Sequence, residues 1–160
     1  MCPAAPIKDI AYVFGTNVID ARKIKEKFPD AMILALEPKQ LPILTEGINI
    51  GSHKIEGIGD DFVPDLVDRE VIDDIILVND DDAINMSRIL AKELGLGVGI
   101  SSGANFIASV LSNFKIKNPI VTVFADDNKK YFSTDLSKEI DRNEKFISNK
   151  IKLLNYEVLE

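Results

Sequence analysis

Short apolar segments of strand length alternate along this chain with longer segments that have helical periodicity. The strand-length segments are residues 10–14, 32–36, 71–78, 97–100 and 119–124. The helical segments are residues 18–28, 80–94 and 103–114. Strands that alternate with helices predict a parallel sheet covered by helices on both faces. The expected fold class is therefore α/β, with three α/β/α layers around a mostly parallel sheet.

Side-chain periodicity predicts the buried face of the second and third helices. These inward residues are Ala83, Met86, Leu90 and Leu94 in the second helix, and Ala104, Ile107, Ala108, Leu111 and Phe114 in the third. Residues 80–82 are all aspartate and are expected to cap the second helix and give its first turn negative charge, and Gly95 is expected to end it. Ser101 and Ser102 are expected to cap the third helix, each contributing about 1 kcal/mol.

The remaining segments lack regular periodicity. Residues 41–59 contain four glycines and are expected to form mostly a long loop. Residues 62–67 are expected to form a short helix, and residues 131–134 a short extended piece. We expect residues 1–136 to form a single α/β domain, followed by a charged and partly helical C-terminal tail over residues 137–160.

Composition argues against several classes of function. The formal net charge is −7, whereas nucleic-acid binding needs clustered lysine and arginine. Cys2 is the single cysteine, which rules out an internal disulfide and a cysteine metal cluster. The sequence has no apolar stretch long enough to span a membrane, and Lys8 and Asp9 stand where a secretory signal would need apolar residues. We therefore expect a cytoplasmic protein that binds neither nucleic acid nor membrane and has no metal site.

Turn residues follow three of the predicted strands. Gly15 with Thr16, residues 99–103 and residues 125–128 would lie together, because the carboxyl ends of parallel strands share one edge of a sheet. Glycine lets backbone approach a ligand, and a helix N-terminus favours an anion. The glycine-rich run at residues 95–105 therefore indicates a site for a phosphorylated or anionic small molecule.

Four segments share their order and spacing with one enzyme family. Residues 51–64 read GSHKIEGIGDDFVP, which is similar to the family motif G-P-H-K-I-Q-G-I-G-x-x-F-x-P, and residues 99–104 are similar to its G-I-S-S-G-A. Residues 121–134 are similar to its strand, loop and R-Y-L-S-T ending, and Glu37-Pro38 stands where it has V-E-P. The family is that of cysteine synthase, the pyridoxal-phosphate enzymes that include O-acetylserine sulfhydrylase and cystathionine β-synthase. The resemblance covers roughly residues 7–136 and implies the large-domain fold of cysteine synthase.

The resemblance implies that pyridoxal phosphate is the cofactor and suggests which residues contact it. Gly15 and Thr16 stand in the phosphate loop, which has one glycine here where the family motif G-T-G-G-T has three. Gly57, Ile58 and Gly59 stand where the family contacts the cofactor ring and the substrate. A tight turn would need glycine at such positions equally, so both interpretations of this segment remain open.

Asp127 stands in the place of the serine that meets the pyridine nitrogen in the family's P-D-S-G segment. A carboxylate there would keep that nitrogen protonated and strengthen the electron sink. Alternatively Asp127 is a turn residue, which is the interpretation that we favour. His53 is an attractive general base, because imidazole titrates near neutral pH. The family transfers protons through its Schiff-base lysine, however, so we expect His53 to fix the loop, and Lys54 does not stand in the place of that lysine.

The resemblance covers only the C-terminal half of such an enzyme. No segment is similar to the motif of the Schiff-base lysine or to the S-G-N-T loop that binds the substrate carboxylate in the family, so no catalytic residue is assigned. One hypothesis is a cysteine-synthase-like protein, of the family that makes cysteine from O-acetylserine and sulfide, which is inactive as a lone chain. A complementary N-terminal-half chain or a homo-oligomer would then be its partner. The other hypothesis is a non-enzymatic binding or partner-interaction domain derived from the same fold.

Overall fold

A parallel sheet forms the centre of the molecule. The computed structural model describes residues 11–15, 21–48, 50–59, 62–65, 67–113 and 119–158. Its strands are β1 (Ala11–Gly15), β2 (Met32–Pro38), β3 (Asp74–Val78) and β4 (Ile120–Thr122). They lie in the order β3-β2-β1-β4, all parallel, with Ala11 level with Met32 on one side and with Ile120 on the other. β2 is buried from its second residue onward, as expected for an apolar strand covered on both faces.

The crossover connections place helices on both faces of the sheet. The helices are α1 (Ala21–Lys27), α2 (Ile43–Glu46), α3 (Asp80–Leu94) and α4 (Ile100–Asn113). The chain steps from β1 to β2 to β3 in one direction and from β3 to β4 in the other, so right-handed crossovers put α1 on one face and α3 with α4 on the opposite face. α4 contacts all four strands and α3 packs on α4. The expected α/β fold is confirmed.

α3 has the limits that the sequence predicts, but a different cap. The side chain of Asn79 accepts hydrogen bonds from the backbone N–H groups of Asp81 and Asp82, so Asn79 is the N-cap and residues 80–82 lie in the first turn. Gly95 ends the helix in the left-handed conformation, with φ of 72°. The inward residues Ala83, Met86 and Leu90 are fully buried, and Leu94 packs against the core from a partly buried position.

α4 begins before its predicted start. The strand expected at residues 97–100 is wrong, because Ile100 is the first helical residue and only Val98 in that stretch forms an isolated bridge. Ser101 and Ser102 therefore lie inside the first turn and are not the caps that the sequence predicts. The buried face of α4 includes Ala104, Ile107 and Ala108, with Leu111 partly buried, whereas Phe114 lies outside the described residues.

Three shorter predictions also differ from the structure. Residues 62–65 and 67 form turns and bends where a helix was expected. The expected extended piece at 131–134 is instead the end of a 3-10 turn at Lys129–Tyr131. β3 is three residues shorter at its start than predicted, because Arg69–Val71 forms a 3-10 turn held by the carboxylate of Asp68.

The chain after residue 137 packs against α3 with little regular structure beyond the 3-10 turn Ser148–Lys150. Asp82 accepts hydrogen bonds from Ile147 N at 2.7 Å and Ser148 N at 2.9 Å. Among the described residues, none of the helices is both long and apolar enough to cross a membrane.

Candidate functional site

The carboxyl edge of the sheet has its switch point between β1 and β4. β2, the next strand along the chain, lies on one side of β1, and β4 lies on the other side, so the order of the strands reverses between β1 and β4. Gly15 is the last residue of β1, and the segment after β4 starts at Val123. Thr16, the other predicted phosphate-loop residue, lies outside the described residues. Ligands of open α/β sheets bind at such an edge.

The 51–59 loop lies over the carboxyl ends of β2 and β3. Lys54 N donates a hydrogen bond of 2.8 Å to Asp80 Oδ2 in the first turn of α3. Asp80 N in turn donates to Gln40 Oε1, just after β2, at 3.3 Å. The apolar side chains by which the loop joins the core are Ile55 and Ile58. The loop and the segment after β4 therefore flank the end of β1 from opposite sides.

Gly57 and Gly59 both adopt left-handed backbone, with φ of 84° and 72°, but their surroundings differ. A Cβ on Gly59 would lie 2.7 Å from Pro38 Cγ and 3.2 Å from His53 Nε2, so no side chain fits there. At Gly57 nothing lies within 4 Å of that position, and the residue is exposed. Gly59 is thus needed for packing on β2, whereas Gly57 is exposed with open space where a Cβ would lie, on a side from which a ligand can approach.

Lys54 forms a bridge between the loop and two carboxylates. Its Nζ lies 2.9 Å from Asp81 Oδ1 and 3.0 Å from Asp135 Oδ2. These hydrogen bonds raise the pKa of Lys54. On the other side, Lys138 and Lys54 lower the pKa of Asp135 to about 2. Lys54 is therefore held as an ammonium ion, which has no lone pair with which to attack a carbonyl carbon.

Asp127 lies beyond β4 and bridges to Val98 in the segment that leads into α4. Its Oδ1 accepts a 2.9 Å hydrogen bond from Lys129 N, and its Oδ2 lies 3.4 Å from Lys129 Nζ. The Lys129 backbone donor lowers the pKa of this carboxyl, and the side chain is 55% exposed. Asp127 is thus an ionised turn residue with a face toward solvent at the switch-point edge.

The neighbouring Asp126 was not singled out by the sequence. Its Oδ2 receives hydrogen bonds from Tyr131 Oη at 2.8 Å and Lys130 Nζ at 2.6 Å. Its backbone oxygen accepts from Gly99 N at 3.0 Å, and a Cβ on Gly99 would lie 2.0 Å from Asp126 Oδ1. The glycine before α4 is therefore required by packing against Asp126. The sequence signal for Asp126 was its position in the turn at residues 125–128, which follows the strand predicted at residues 119–124.

Asn105 joins α4 to the same segment. Its Nδ2 donates a 2.9 Å hydrogen bond to the carbonyl of Val123, which fixes the chain as it leaves β4. The Oδ1 of Asn105, the Oγ of Ser102 and the Oδ1 of Asp126 are buried and have no hydrogen-bond partner in the part of the chain that the structure describes. The start of α4 is thus unusually rich in buried polar atoms for an otherwise apolar helix.

The sequence comparisons agree with this architecture. The family described as pyridoxal-phosphate dependent enzyme matches residues 21–126, which include β2, β3, α3, α4, β4 and the 51–59 loop. The chain belongs to this family. Members of it are similar over most of the chain: cysteine synthase B of Campylobacter jejuni is 47% identical over 114 residues, which are 71% of this chain and 38% of the relative. Cysteine synthase of Staphylococcus aureus is 38% identical over 124 residues, or 76% of this chain and 40% of the relative.

A solved structure shows the same likeness in three dimensions. The hydrogen sulfide-producing enzyme Fn1055 of Fusobacterium nucleatum superposes with a TM-score of 0.78 and 47% identity, covering 89% of this chain and 44% of the enzyme. The resemblance to cysteine synthases is thereby confirmed. The chain spans about two fifths of the length of the curated relatives that it matches.

The residues at the carboxyl edge fit pyridoxal phosphate in part of its surroundings. Gly57 offers left-handed backbone with open space beside it, and Asp127 offers an ionised carboxylate. An ionised carboxylate accepts a hydrogen bond from a protonated ring nitrogen, and a glycine with open space beside it lets a flat ring approach the backbone. Lys54 does not suit the covalent role, because it is engaged by two carboxylates.

Proposed function

We propose that this chain supplies the C-terminal part of a cysteine-synthase-like active site, for the pyridoxal-phosphate-dependent conversion of O-acetylserine and sulfide to cysteine. The observation that supports it most is the left-handed turn at Gly57 and Gly59, placed by the 51–59 loop at the carboxyl edge of the sheet beside the switch point. The chemistry supplied by bound pyridoxal phosphate is electron withdrawal from the α-carbon of the amino acid, which lets a β-substituent leave.

Within that site the residues of this chain bind and orient. Gly57, with open space where a Cβ would lie, would let the ring and the substrate approach its backbone, and Gly15, at the end of β1, would lie near the anionic group. The exposed carboxylate of Asp127 would accept a hydrogen bond from a protonated ring nitrogen if the residue serves as more than a turn. The hydrogen bond from Lys129 N favours the ionised carboxylate of Asp127 in either role, and substitution to Asn separates the two.

We propose further that the covalent lysine comes from a segment other than the 51–59 loop, so these residues alone do not catalyse the reaction. Lys54, the one lysine in the loop, is held as an ammonium ion by Asp81 and Asp135 and so cannot act as a nucleophile. The lysine is then supplied by the part of the enzyme that the curated relatives possess beyond the matched region, whether in the same polypeptide or in another.

Strand β4 is the surface on which we place that complementary segment. β4 is an edge strand of the described sheet, and the apolar side chains exposed along and after it are Val121, Val123 and Phe124. An apolar strand edge is normally covered by a neighbouring strand or helix. A second copy of this chain is the other candidate to cover it.

A non-enzymatic interaction domain is the second candidate function. Ile50 and Phe62, at either end of the loop, are also largely exposed, which favours a partner-binding surface. The two functions differ in their need for pyridoxal phosphate and in whether the partner brings a lysine.

Borohydride trapping tests the proposal. The purified chain is incubated with pyridoxal phosphate, reduced and analysed by peptide mass spectrometry, alone and after addition of the N-terminal segment of the Campylobacter cysteine synthase B. We expect a reduced cofactor adduct on a lysine of the added segment only, together with cysteine formation from O-acetylserine and sulfide. An adduct on a lysine of this chain, with cysteine formed by it alone, would refute the proposed incompleteness.

The same assay tests the docking surface. Val121→Lys on β4 should weaken association with the added segment and lower cysteine formation in parallel, whereas Leu154→Lys, an equally apolar exposed position in the tail, should change neither. Association that is undiminished by Val121→Lys excludes β4 as the surface. A complex that forms but makes no cysteine favours the interaction-domain function.

A further inference from the structure

We infer that His53 is a positioning residue for the 51–59 loop: its Nε2–H group holds the carbonyl of Gly59 and thereby fixes the left-handed turn at Gly57 and Gly59. The consequence for substrate binding rests on the proposed function. The hydrogen bond itself, and the tautomer that it requires, do not.

The direction of the hydrogen bond fixes the state of the ring. His53 Nε2 is hydrogen-bonded to the carbonyl oxygen of Gly59. A carbonyl oxygen accepts and cannot donate, so Nε2 carries the hydrogen, and in the neutral ring Nδ1 then bears the lone pair. His53 Nδ1 is buried and has no hydrogen-bond partner among the described residues. The imidazole is therefore used through one nitrogen only, which is the pattern of a structural donor.

Gly59 is held on two sides. A Cβ at this residue would lie 2.7 Å from Pro38 Cγ and 3.2 Å from His53 Nε2, so the backbone passes between the end of β2 and the imidazole edge. Its φ of 72° is a left-handed conformation, which persists where the surroundings determine it. The Pro38 ring and the hydrogen bond from His53 together hold Gly59 in this conformation.

The backbone beside the His53 side chain is also anchored. Lys54 N, one peptide unit along, donates to Asp80 Oδ2 at 2.8 Å, and Asp80 is only 3% exposed. Burial raises the pKa of Asp80, and the hydrogen bond from Lys54 N acts in the opposite direction. The loop is therefore held at two points: Asp80 accepts from the backbone next to His53, and the His53 ring donates to the carbonyl of Gly59. Gly57 lies between these two points, so together they set its position.

Two side-chain isosteres separate this role from general packing. In His53→Gln the amide nitrogen reaches the place of Nε2 and can still donate to Gly59, whereas in His53→Asn the amide nitrogen takes the place of Nδ1 and cannot. The full chain, uniformly labelled with ¹⁵N and without cofactor, is studied by NMR. Because His53 is the single histidine, its two ring nitrogens give the tautomer without assignment ambiguity.

We expect the Nε2–H tautomer in the unmodified chain. Loss of one hydrogen bond should make amide exchange at Gly57 and Ile58 about tenfold faster in His53→Asn, with a change of less than about twofold in His53→Gln. The Nδ1–H tautomer, or equal effects of the two substitutions on these amides, would overturn the inference. If both variants fail to fold, the tautomer of the unmodified chain still decides it. None of these readouts uses the cofactor or a partner, so failure of the proposed function would leave them unchanged.

Discussion

Two glycines two residues apart share a left-handed backbone in the 51–59 loop, and yet the structure uses them for different purposes. Gly59 is buried against Pro38 and the His53 ring, where no Cβ fits, while Gly57 is exposed with open space at the same position. The backbone requirement at Gly57 is thus separable from the packing requirement at Gly59. Each glycine therefore serves as the control for the other in a substitution experiment.

Gly59→Ala should destabilise the fold more than Gly57→Ala. Both substitutions place a Cβ on left-handed backbone, at a cost of about 1–2 kcal/mol. Gly59→Ala adds overpacking against Pro38 Cγ at 2.7 Å, for which about 1–3 kcal/mol more is expected. Urea unfolding of the two variants measures the difference. Equal losses of unfolding free energy would show that the Pro38 contact carries no weight.

The ion pairs of Asp135 make a pH-dependent contribution. Its pKa is lowered to about 2 from the ordinary 3.8, chiefly by Lys138 and then by Lys54. The folded state therefore binds this proton less tightly than the unfolded chain, so the stabilisation is present above about pH 4 and is lost as the pH falls toward 2. Asp135→Asn should flatten the fall in melting temperature over that range. Lys54→Met should flatten it partly, and Lys152→Met, which removes an exposed lysine elsewhere on the surface, should leave it unchanged.

At the scale of elements, the helix pair α3–α4 depends on a close crossing. A Cβ on Gly103 in α4 would lie 2.3 Å from both the Ala83 carbonyl oxygen and Ser87 Oγ in α3. Ser87 Oγ also donates to the carbonyl of Gly99 at 2.9 Å, just before α4 begins. The two helices are therefore joined by backbone approach and a buried hydroxyl as well as by apolar side chains.

Gly103→Ala should separate these helices. Alanine favours a helix by about 1 kcal/mol over glycine, but a contact of 2.3 Å with backbone cannot be relieved by a side-chain rotation. We expect a net loss of about 1–3 kcal/mol in unfolding free energy, as for other overpacked core positions. Ser101→Ala, in the same helix and only partly buried, is the control and should change stability by less than about 0.5 kcal/mol. A Gly103→Ala variant as stable as its parent would contradict the close crossing.

Sequence periodicity sufficed for the fold class and for the limits of α3, because these depend on patterns within one segment. It failed at residues 97–100, where an apolar run of strand length follows a helix. Among the described residues that run forms only the isolated bridge between Val98 and Asp127, and Gly99 N is bonded to the carbonyl of Asp126. The start of α4 depends on the contact between Gly99 and Asp126, which are distant in sequence. The sequence alone therefore predicted Ser101 and Ser102 as caps, although both lie inside the helix.

The sequence predicted which loops form the candidate site, but not the contacts that hold those loops in place. The resemblance placed Gly57 and Gly59 at the ligand edge, and the structure adds that only Gly59 is packed. The role of Gly59 depends on Pro38, and that of Gly99 on Asp126, both distant in sequence. Pairings of this kind leave no periodic trace in a single sequence, so the sequence alone could not reveal them.

At the scale of the whole molecule, the segment after residue 137 is fastened to α3 by buried polar side chains. Asn85 is fully buried, donates to Ser148 Oγ at 3.0 Å and accepts from Asp141 N at 2.8 Å. Asp82, one turn earlier, accepts from two consecutive backbone N–H groups, those of Ile147 and Ser148. A carboxylate that accepts two backbone hydrogen bonds while buried is costly to leave unpaired, so the attachment is specific rather than a general apolar contact.

Asp82→Ala should release this segment while α3 and the sheet stay folded. The substitution leaves two backbone donors near residues 147 and 148 without their acceptor, at a cost of about 1–3 kcal/mol. We expect trypsin to cleave the variant at Lys138, Arg142 or Lys145 at least about tenfold faster than the parent, because local opening governs cleavage. Asp81→Ala removes the same charge from the same helical turn, but the Asp81 carboxylate pairs with Lys54, whereas that of Asp82 accepts from the backbone of the tail, so Asp81→Ala should not accelerate cleavage there. Equal acceleration in both variants would mean that the charge of the turn, and not the pair of hydrogen bonds from Ile147 and Ser148, holds the segment in place.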